Sequence, residues 1–345
     1  MEPNQNARYS RQMLFPPIGP SGQEKLSGSR VAIVGLGALG TVLANHMVRG
    51  GVGYLRCIDR DFVETSNLQR QMLYDEEDAR NHMPKAVAAA DKLKKMNSSV
   101  TIEPIVGDVH AYNAEELLSD VDIILDGTDN FQIRYLLNDV AVKHRIPWVY
   151  GGAVSSRGMF AAIRPYVTPC YRCLFPDPPA GRGETCDTVG VIGPIVHIVA
   201  SYQAAEALKL MVGAEHHLNP YLEQFELWTN RHMQMDIRQG KHPDCPACGK
   251  GEFEFLYPAA DSLEVFTALC GRDTVQITPR GGRSVNLEEE ENVFRRIGKV
   301  ERNPFLLRFH VGDYALVLFK DGRVLVQGTQ DIDIAKSLYA KYISH

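Results

Sequence analysis

The chain has 345 residues, 44% of them hydrophobic and 23% charged, which is enough to bury a substantial core in one large domain or two of ordinary size. A formal net charge of -5 and a pI near 6.1 exclude the basic footprint that a nucleic-acid backbone requires, but leave room for a small anionic ligand held at a local site.

Residues 1–12, MEPNQNARYSRQ, are polar and lack the apolar stretch of a secretory signal, so a cytoplasmic protein with no membrane partner is expected. Apolar runs predict strands at 31–34, 53–58, 100–104, 121–126 and 147–150, with helical periodicity between them at 38–49, 85–96, 113–118 and 131–143. Strand and helix alternating in this way imply an α/β fold: a Rossmann-like, doubly wound, mostly parallel sheet with helices on both faces. Ligands in such sheets sit beyond the carboxyl ends of the strands. That rule gathers residues 35–40, 59–71 and 126–130 around one crevice.

Further along, GRGETCDTVG (181–190) reads as a mobile loop. It precedes a long apolar stretch, 189–213, whose His197, Gln203, Glu206 and Lys209 mark it as a buried globular helix rather than a membrane span. HPDCPACGKG (242–251) punctuates the chain again. From residue 273, a strand TVQITP, a helix near 287–297, a β-rich run 305–328 with Asp321-Gly322 as its hairpin turn, and a helix at 331–342 predict a small C-terminal α+β unit. The expected organisation is a nucleotide-binding domain over 1–250 and a small domain over 251–345.

VAIVGLGALG (31–40) carries G-x-G-x-x-G between a strand and a helix, so Gly35 and Gly37 would let backbone approach phosphates, Gly40 would open the helix, and Asp59 at the next strand end would hold a ribose. A glycine turn needed only for packing is the alternative. DRDFVETSNLQRQ (59–71) is more polar than a nicotinamide site needs. A triphosphate needs cations and a metal-binding acid. Arg70 and Lys85 supply the cations, Asp129 in DGTDN is placed for Mg2+, and Asn67 and Gln71 can orient phosphate or substrate groups. Each alone reads as a solvated surface group; gathered at strand ends they favour ATP.

Two C-x-x-C pairs, Cys170/Cys173 and Cys245/Cys248, have the spacing of a closed, structural Zn2+ site supporting a β-rich extension, with a redox dithiol as the rival reading. Cys57, in a strand, and Cys270, at an apolar helix end, read as core thiols. Cys186 lies in a polar loop upstream of an apolar helix whose N-terminus would lower its pKa; it is either a reactive thiol or an incidental one. The histidines form no catalytic constellation.

RYSRQ, GLGALG, DRDFVETSNLQRQ, MPKA, TDN, the paired C-x-x-C and CDTVGVIGP occur in this order over residues 8–249. In this the chain resembles the ThiF/MoeB/HesA group, the bacterial relatives of ubiquitin-activating enzymes. The resemblance implies a cytoplasmic homodimer that uses Mg-ATP to adenylate the C-terminal Gly-Gly carboxylate of a ubiquitin-like sulfur carrier protein, of ThiS or MoaD type, releasing pyrophosphate. The product would serve thiamine thiazole or molybdenum cofactor biosynthesis, with a sulfur donor protein as a further partner. It also implies that Asp59 holds the ribose, that Asn67, Arg70 and Lys85 contact phosphates, that Asp129 binds the metal, and that Arg11 reaches into the partner subunit's site. Cys186 matches a cysteine that in some members links covalently to the carrier and in others is dispensable. The chain departs from the group at NHMPK (81–85), where many members have glycine before the proline, so a less flexible loop is expected there. An NAD-dependent oxidoreductase and a non-catalytic, zinc-stabilised nucleotide-binding protein are the alternatives; adenylation of a tRNA base is disfavoured by the acidic charge balance.

Overall fold

In a computed structural model the described residues are 3–178, 186–258, 266–269, 273–278 and 285–343. Those within Met1–Gly181 and Val189–Pro258 form one compact unit, and those within Arg182–Thr188 and Ala259–His345 another.

The first unit opens with two helices, α1 (Pro3–Met13) and α2 (Gly19–Gly28), which the polar N-terminal segment did not announce. They are held by buried polar contacts: Asn97 Nδ2 donates to the Tyr9 hydroxyl at 2.7 Å, and Gln12 Nε2 donates to Gln23 Oε1 at 2.7 Å and to the Gly50 carbonyl at 2.9 Å. Alternating strands and helices follow: β1 (Arg30–Val34), α3 (Ala38–Gly50), β2 (Tyr54–Asp59), α4 (Glu76–Arg80), α5 (Lys85–Met96), β3 (Thr101–Val106), α6 (Ala114–Leu118), β4 (Ile123–Asp126), α7 (Phe131–His144) and β5 (Trp148–Val154). The sheet runs β3-β2-β1-β4-β5, all parallel, as the strand and helix alternation requires. Strand residues alternate between two cores. Val31, Ile33, Leu55 and Leu125 pack with α3 and α5, while Ala32, Val34, Ile58 and Ile124 pack with α6 and α7. Burial on both faces explains why these strands read as unbroken apolar runs.

Past β5 the sheet turns antiparallel through β6 (Arg157–Ile163), β7 (Tyr221–Glu226) and β8 (Arg231–Asp236), with the one-turn helices α8 (Tyr171–Leu174) and α9 (Cys186–Val189) and the long helix α10 (Gly193–Val212) inserted between β6 and β7. In the first unit the strands predicted from periodicity stop at residue 150; β8, RHMQMD, is exposed along its whole length, and its Met233 and Met235 alternate with polar residues without being buried. Helix α10 is long and apolar enough to cross a membrane by length and composition, yet Ile195, Val196, Val199, Ala200, Ala204 and Ala207 lie in the α3 core. Its buried Gln203 spans the sheet, donating from Nε2 to the Asp126 carbonyl at 2.9 Å and the Val149 carbonyl at 3.1 Å.

The second unit is a six-stranded antiparallel sheet, ordered β11-β12-β13-β14-β10-β9: β9 (Phe266–Leu269), β10 (Thr274–Ile277), β11 (Val300–Arg302), β12 (Leu306–Val311), β13 (Tyr314–Phe319) and β14 (Val324–Gln327). Helices α11 (Leu287–Phe294) and α12 (Ile332–Tyr342) bring Leu287, Phe294 and Ala335 into its core. The expected Asp321-Gly322 turn is present, with Gly322 at φ +81° and Arg323 N donating to Asp321 Oδ1 at 3.0 Å. Helix α11 ends at Phe294, before the expected 297. Cys270 lies outside the described residues, and the segment before it is strand β9 rather than the expected helix.

The tightest backbone packing lies where β1 and β4 end. A Cβ on Gly40 would fall 1.9 Å from the Gly35 carbonyl oxygen, and one on Gly127 2.3 Å from the same atom. Gly40→Ala is therefore expected to cost about 1–3 kcal/mol or more, as overpacking against backbone that cannot give way does. Chemical denaturation of the variant beside the parent chain measures it.

Candidate nucleotide site and cysteine cluster

The strand order reverses between β1 and β4, and the crevice outside their carboxyl ends is where a doubly wound sheet places a ligand. Gly35 turns the chain out of β1 at φ +87°. Gly37 then caps α3 with no side-chain hydrogen bond, and a Cβ there would meet nothing nearer than Gln71 Nε2 at 3.9 Å. The first-turn N–H groups of α3 thus lie beside an open space that the Gln71 side chain borders, which suits phosphate.

Asp59, at the end of β2, is 9% exposed. Its Oδ2 accepts from Leu36 N at 2.6 Å and its Oδ1 from Asp61 N at 2.7 Å, so one lone pair on each oxygen is left for a ribose hydroxyl. Burial pushes its pKa up and Asp61 adds to this, against the opposing pull of Lys85 and the two amides. Lys85, the first residue of α5, is 3% exposed; its backbone N donates to the Asp61 carbonyl at 2.9 Å and its Nζ lies 3.4 Å from Asp61 Oδ2. Tyr74 ties this lysine to the glycine turn, its hydroxyl donating to the Leu36 carbonyl at 2.8 Å and the Lys85 carbonyl at 3.2 Å. The loop before Lys85 is pinned, as the missing glycine suggested: His82 sits at φ +46° with its ring edge-on to Phe62, and Val63 N donates to the Met83 carbonyl at 2.8 Å.

Asn67 and Arg70 follow in a single 3₁₀ turn and its continuation. Asn67 is buried and accepts from Glu64 N at 3.2 Å; Arg70 is half-buried and donates to the Ser66 carbonyl at 2.9 Å. Gln71 is 3% exposed, and its Oε1 has no partner among the described residues. Asp129 is exposed on the loop after β4, while its neighbour Asp126 is wholly buried and engaged by Thr128 and Arg134. Of these two acids, only Asp129 is open to a divalent cation.

The crevice contains charged groups that the sequence reasoning passed over. Arg60 pairs with Asp108 Oδ2 at 2.9 Å and approaches Asp61 Oδ1 at 3.9 Å. Burial disfavours its charge, but Asp108, Asp61 and, more weakly, Asp129 keep it protonated. The signal was present in the alternating D-R-D at the strand end; Asp108 lies 48 residues from Arg60 and could not be matched to it by spacing. Arg11 is exposed on α1 and has no hydrogen bond or ion pair among the described residues. Cys186 opens the one-turn helix α9 instead of lying in an irregular loop, and six residues separate it from Gly193, where α10 begins.

The four cysteines of the two C-x-x-C pairs converge. Their sulfurs lie within 4.8 Å of one another, with Cys170–Cys245 at 3.6 Å, Cys173–Cys248 at 3.5 Å and Cys170–Cys173 at 3.9 Å. A tetrahedral ion with bonds of about 2.3 Å to sulfur sets its ligands about 3.8 Å apart, so the buried quartet fits one. It joins α8 to a tight helical turn, Pro246–Lys250, and packs on Val142 of α7.

Residues 9–247 match the profile of the ThiF family. The chain belongs to the ThiF family. The ThiF match takes in the glycine turn, the crevice and three of the four cysteines, and leaves out the second unit's part from Ala259 onward. The sulfur carrier protein ThiS adenylyltransferase of Bacillus subtilis (strain 168) is 47% identical over 337 residues, covering 97% of this chain and 99% of its own, and so shares the second unit as well. The sulfur carrier protein adenylyltransferase of Thermus thermophilus is 37% identical over 270 residues, 76% of this chain and 96% of its own. Among solved structures, that of E. coli MccB with MccA-N7isoASN superposes with a TM-score of 0.62 at 23% identity, covering 71% of this chain and 74% of that one, a likeness of fold.

Proposed function

We propose that the crevice binds Mg-ATP and that the chain adenylates the C-terminal Gly-Gly carboxylate of a ubiquitin-like sulfur carrier protein, releasing pyrophosphate. It is an adenylyltransferase of the ThiF family. The observation that carries the reading is the uncapped start of α3 at Gly37 facing Asp59, Lys85 and the Asp129 loop across one crevice. A nicotinamide site is not favoured, because hydride transfer has no use for a buried lysine among carboxylates at a phosphate-binding turn.

The roles follow from the chemistry. A carrier carboxylate oxygen forms a bond to the α-phosphorus, and the bond from that phosphorus to the bridging oxygen breaks, so the electron pair leaves with pyrophosphate. Two anions must be brought together, and this is the task of the cations. Lys85, Arg70 and Asn67 are assigned to the phosphates, Asp59 to the ribose, and Gly35, Gly37 and Gly40 to the close approach of backbone. Asp129 is the residue that would hold Mg2+, which offsets phosphate charge when bound. A carboxylate is already ionised near pH 7, so no general base is required. Arg11, exposed and without a hydrogen bond or ion pair among the described residues, is assigned to the crevice of a partner subunit in a homodimer.

The open sheet edge at β8, with Trp228 79%, Met233 54% and Met235 52% exposed, suits a protein substrate better than a small molecule. The extent of the likeness to the Bacillus relative favours the ThiS-type carrier, hence thiamine thiazole synthesis, over the MoaD type. A sulfur donor protein acts after adenylation, and a cytoplasmic location fits this use of ATP. The cysteine quartet is assigned a structural Zn2+, and residues 1–250 and 251–345 are read as separate domains.

Replacing Arg70, Lys85 or Asp129 with alanine is expected to lower ATP–pyrophosphate exchange, measured with purified carrier, by about 100-fold or more, the loss that follows removal of one preorganised charge-stabilising group. Parent-like exchange in all three variants refutes the site. Metal analysis should find about one zinc per chain, and stripping it should lower the melting temperature. A metal-free chain of unchanged stability refutes that assignment. Cys186→Ala is expected to exchange normally but to yield less carrier thiocarboxylate, since a thiol can attack the acyl-adenylate while adenylation itself needs none. Intact-mass analysis of the carrier after incubation with ATP and a sulfur donor reads the difference; full thiocarboxylate yield makes Cys186 a bystander.

A further inference from the structure

The loop that carries Asp129 is held from beneath by one side chain. Arg134, on the first turn of α7, is 4% exposed, and its guanidinium reaches three partners: Nε donates to Asp126 Oδ2 at 2.8 Å, and Nη2 donates to the Thr128 carbonyl at 2.7 Å and to the Gly151 carbonyl at 3.0 Å. Asp126 in turn accepts on Oδ1 from Thr128 N at 2.9 Å and Thr128 Oγ1 at 2.7 Å. Residues 126–128 are thus closed into a ring of hydrogen bonds around the arginine, and Gly151 joins that ring to the middle of β5. The guanidinium lies between two aromatic rings, 5.1 Å from the Tyr150 centroid and 5.4 Å from the Phe131 centroid.

A buried ion pair of this kind is a poor device for stability alone, because desolvating both charges offsets most of their attraction. Its geometric content is high. A planar fork that satisfies a carboxylate and two carbonyls fixes the direction in which the next residue leaves, and that residue is Asp129. We infer that Arg134 is a positioning residue for the metal: it acts through other residues, holding Asp126, Thr128 and β5 at Gly151 so that the Asp129 carboxylate is aimed into the crevice. This rests on the reading of Asp129 as the Mg2+ ligand given above.

The test uses the full-length chain and reads nucleotide binding instead of turnover. The affinity for a fluorescent ATP analogue is measured in EDTA and across a Mg2+ titration for the parent, Arg134→Lys, Asp126→Asn and Asp129→Asn, each checked for cooperative unfolding. Lysine keeps the charge but cannot form the fork. The expected result is that Arg134→Lys raises the Mg2+ midpoint about tenfold, the usual loss when a group supporting a metal ligand is removed, while affinity in EDTA stays within about twofold of the parent. Asp126→Asn, which keeps an acceptor for Thr128 but weakens the pairing, should move the midpoint in the same direction by less and serves where Arg134→Lys fails to fold. If Asp129→Asn moves the midpoint and neither support variant does, Arg134 does not position the metal ligand. An Arg134→Lys chain that loses affinity equally in EDTA and in Mg2+ makes the arginine a general structural element and overturns the inference. If Asp129→Asn itself leaves the midpoint unmoved, it is the underlying metal assignment that fails.

Discussion

Two stretches of backbone touch at the point where the strand order reverses, and the rest of the site is arranged around that contact. The turn after β1 and the loop after β4 meet through Gly35, Gly40 and Gly127, with no room for a Cβ at any of the three: a carbon on Gly35 would itself lie 2.8 Å from the Gly127 carbonyl. Packing at this distance brings the start of α3 and the Asp129 loop to opposite walls of one narrow crevice. It also removes side chains from the floor, so that a phosphate would meet N–H groups rather than methyls.

Charge is then placed around a floor that has none. Lys85 is almost fully buried, a position an ammonium group tolerates only with a counter-charge and fixed dipoles nearby. Asp61 supplies the counter-charge through its carboxylate and grips the lysine backbone through its carbonyl, while its own N–H serves Asp59. One residue thereby couples Asp59 to Lys85, the groups proposed for the ribose and the phosphates. Arg60 and Asp108 continue the alternation of sign toward β3. A network with nearly balanced charge can remain folded without a ligand and still present cations to an incoming triphosphate. A cluster of cations alone would repel itself.

The antiparallel extension solves a different problem. A parallel α/β sheet offers a ligand crevice but no broad surface for a protein partner, and its strands are covered on both faces by helices. Strands β6 to β8 extend the same sheet beyond β5 and end in an edge open among the described residues, so the surface proposed for a protein substrate grows directly from the sheet that carries the proposed nucleotide crevice. The cysteine quartet brings α8 and the turn at Pro246–Lys250 together on α7, the helix that also carries Arg134. The proposed metal would tie the short turn down where its own apolar burial is small.

By itself the sequence determined the elements with strong periodicity and the groups whose chemistry is local. The parallel strands announced themselves because burial on both faces demands continuous apolar residues, and the second unit because strand alternation and an Asp-Gly turn need no distant partner. The glycine turn at Gly35 to Gly40, with Asp59 at the next strand end, and the convergence of the paired cysteines were legible because each belongs to a short motif of fixed spacing. Tertiary structure alone decided which charges meet. Asp108 joins Arg60 from another strand end, and Arg134 reads in sequence as one more helix-surface cation until folding buries it against Asp126, Thr128 and Gly151. Strand β8 is exposed along its whole length, so its short Met233 and Met235 alternation marks no core, and the helix α1 depends on Tyr9 and Gln12 finding partners at Asn97, Gln23 and Gly50. Interactions of this second kind arise between groups far apart in the chain, where neither spacing nor periodicity carries a record of the pairing.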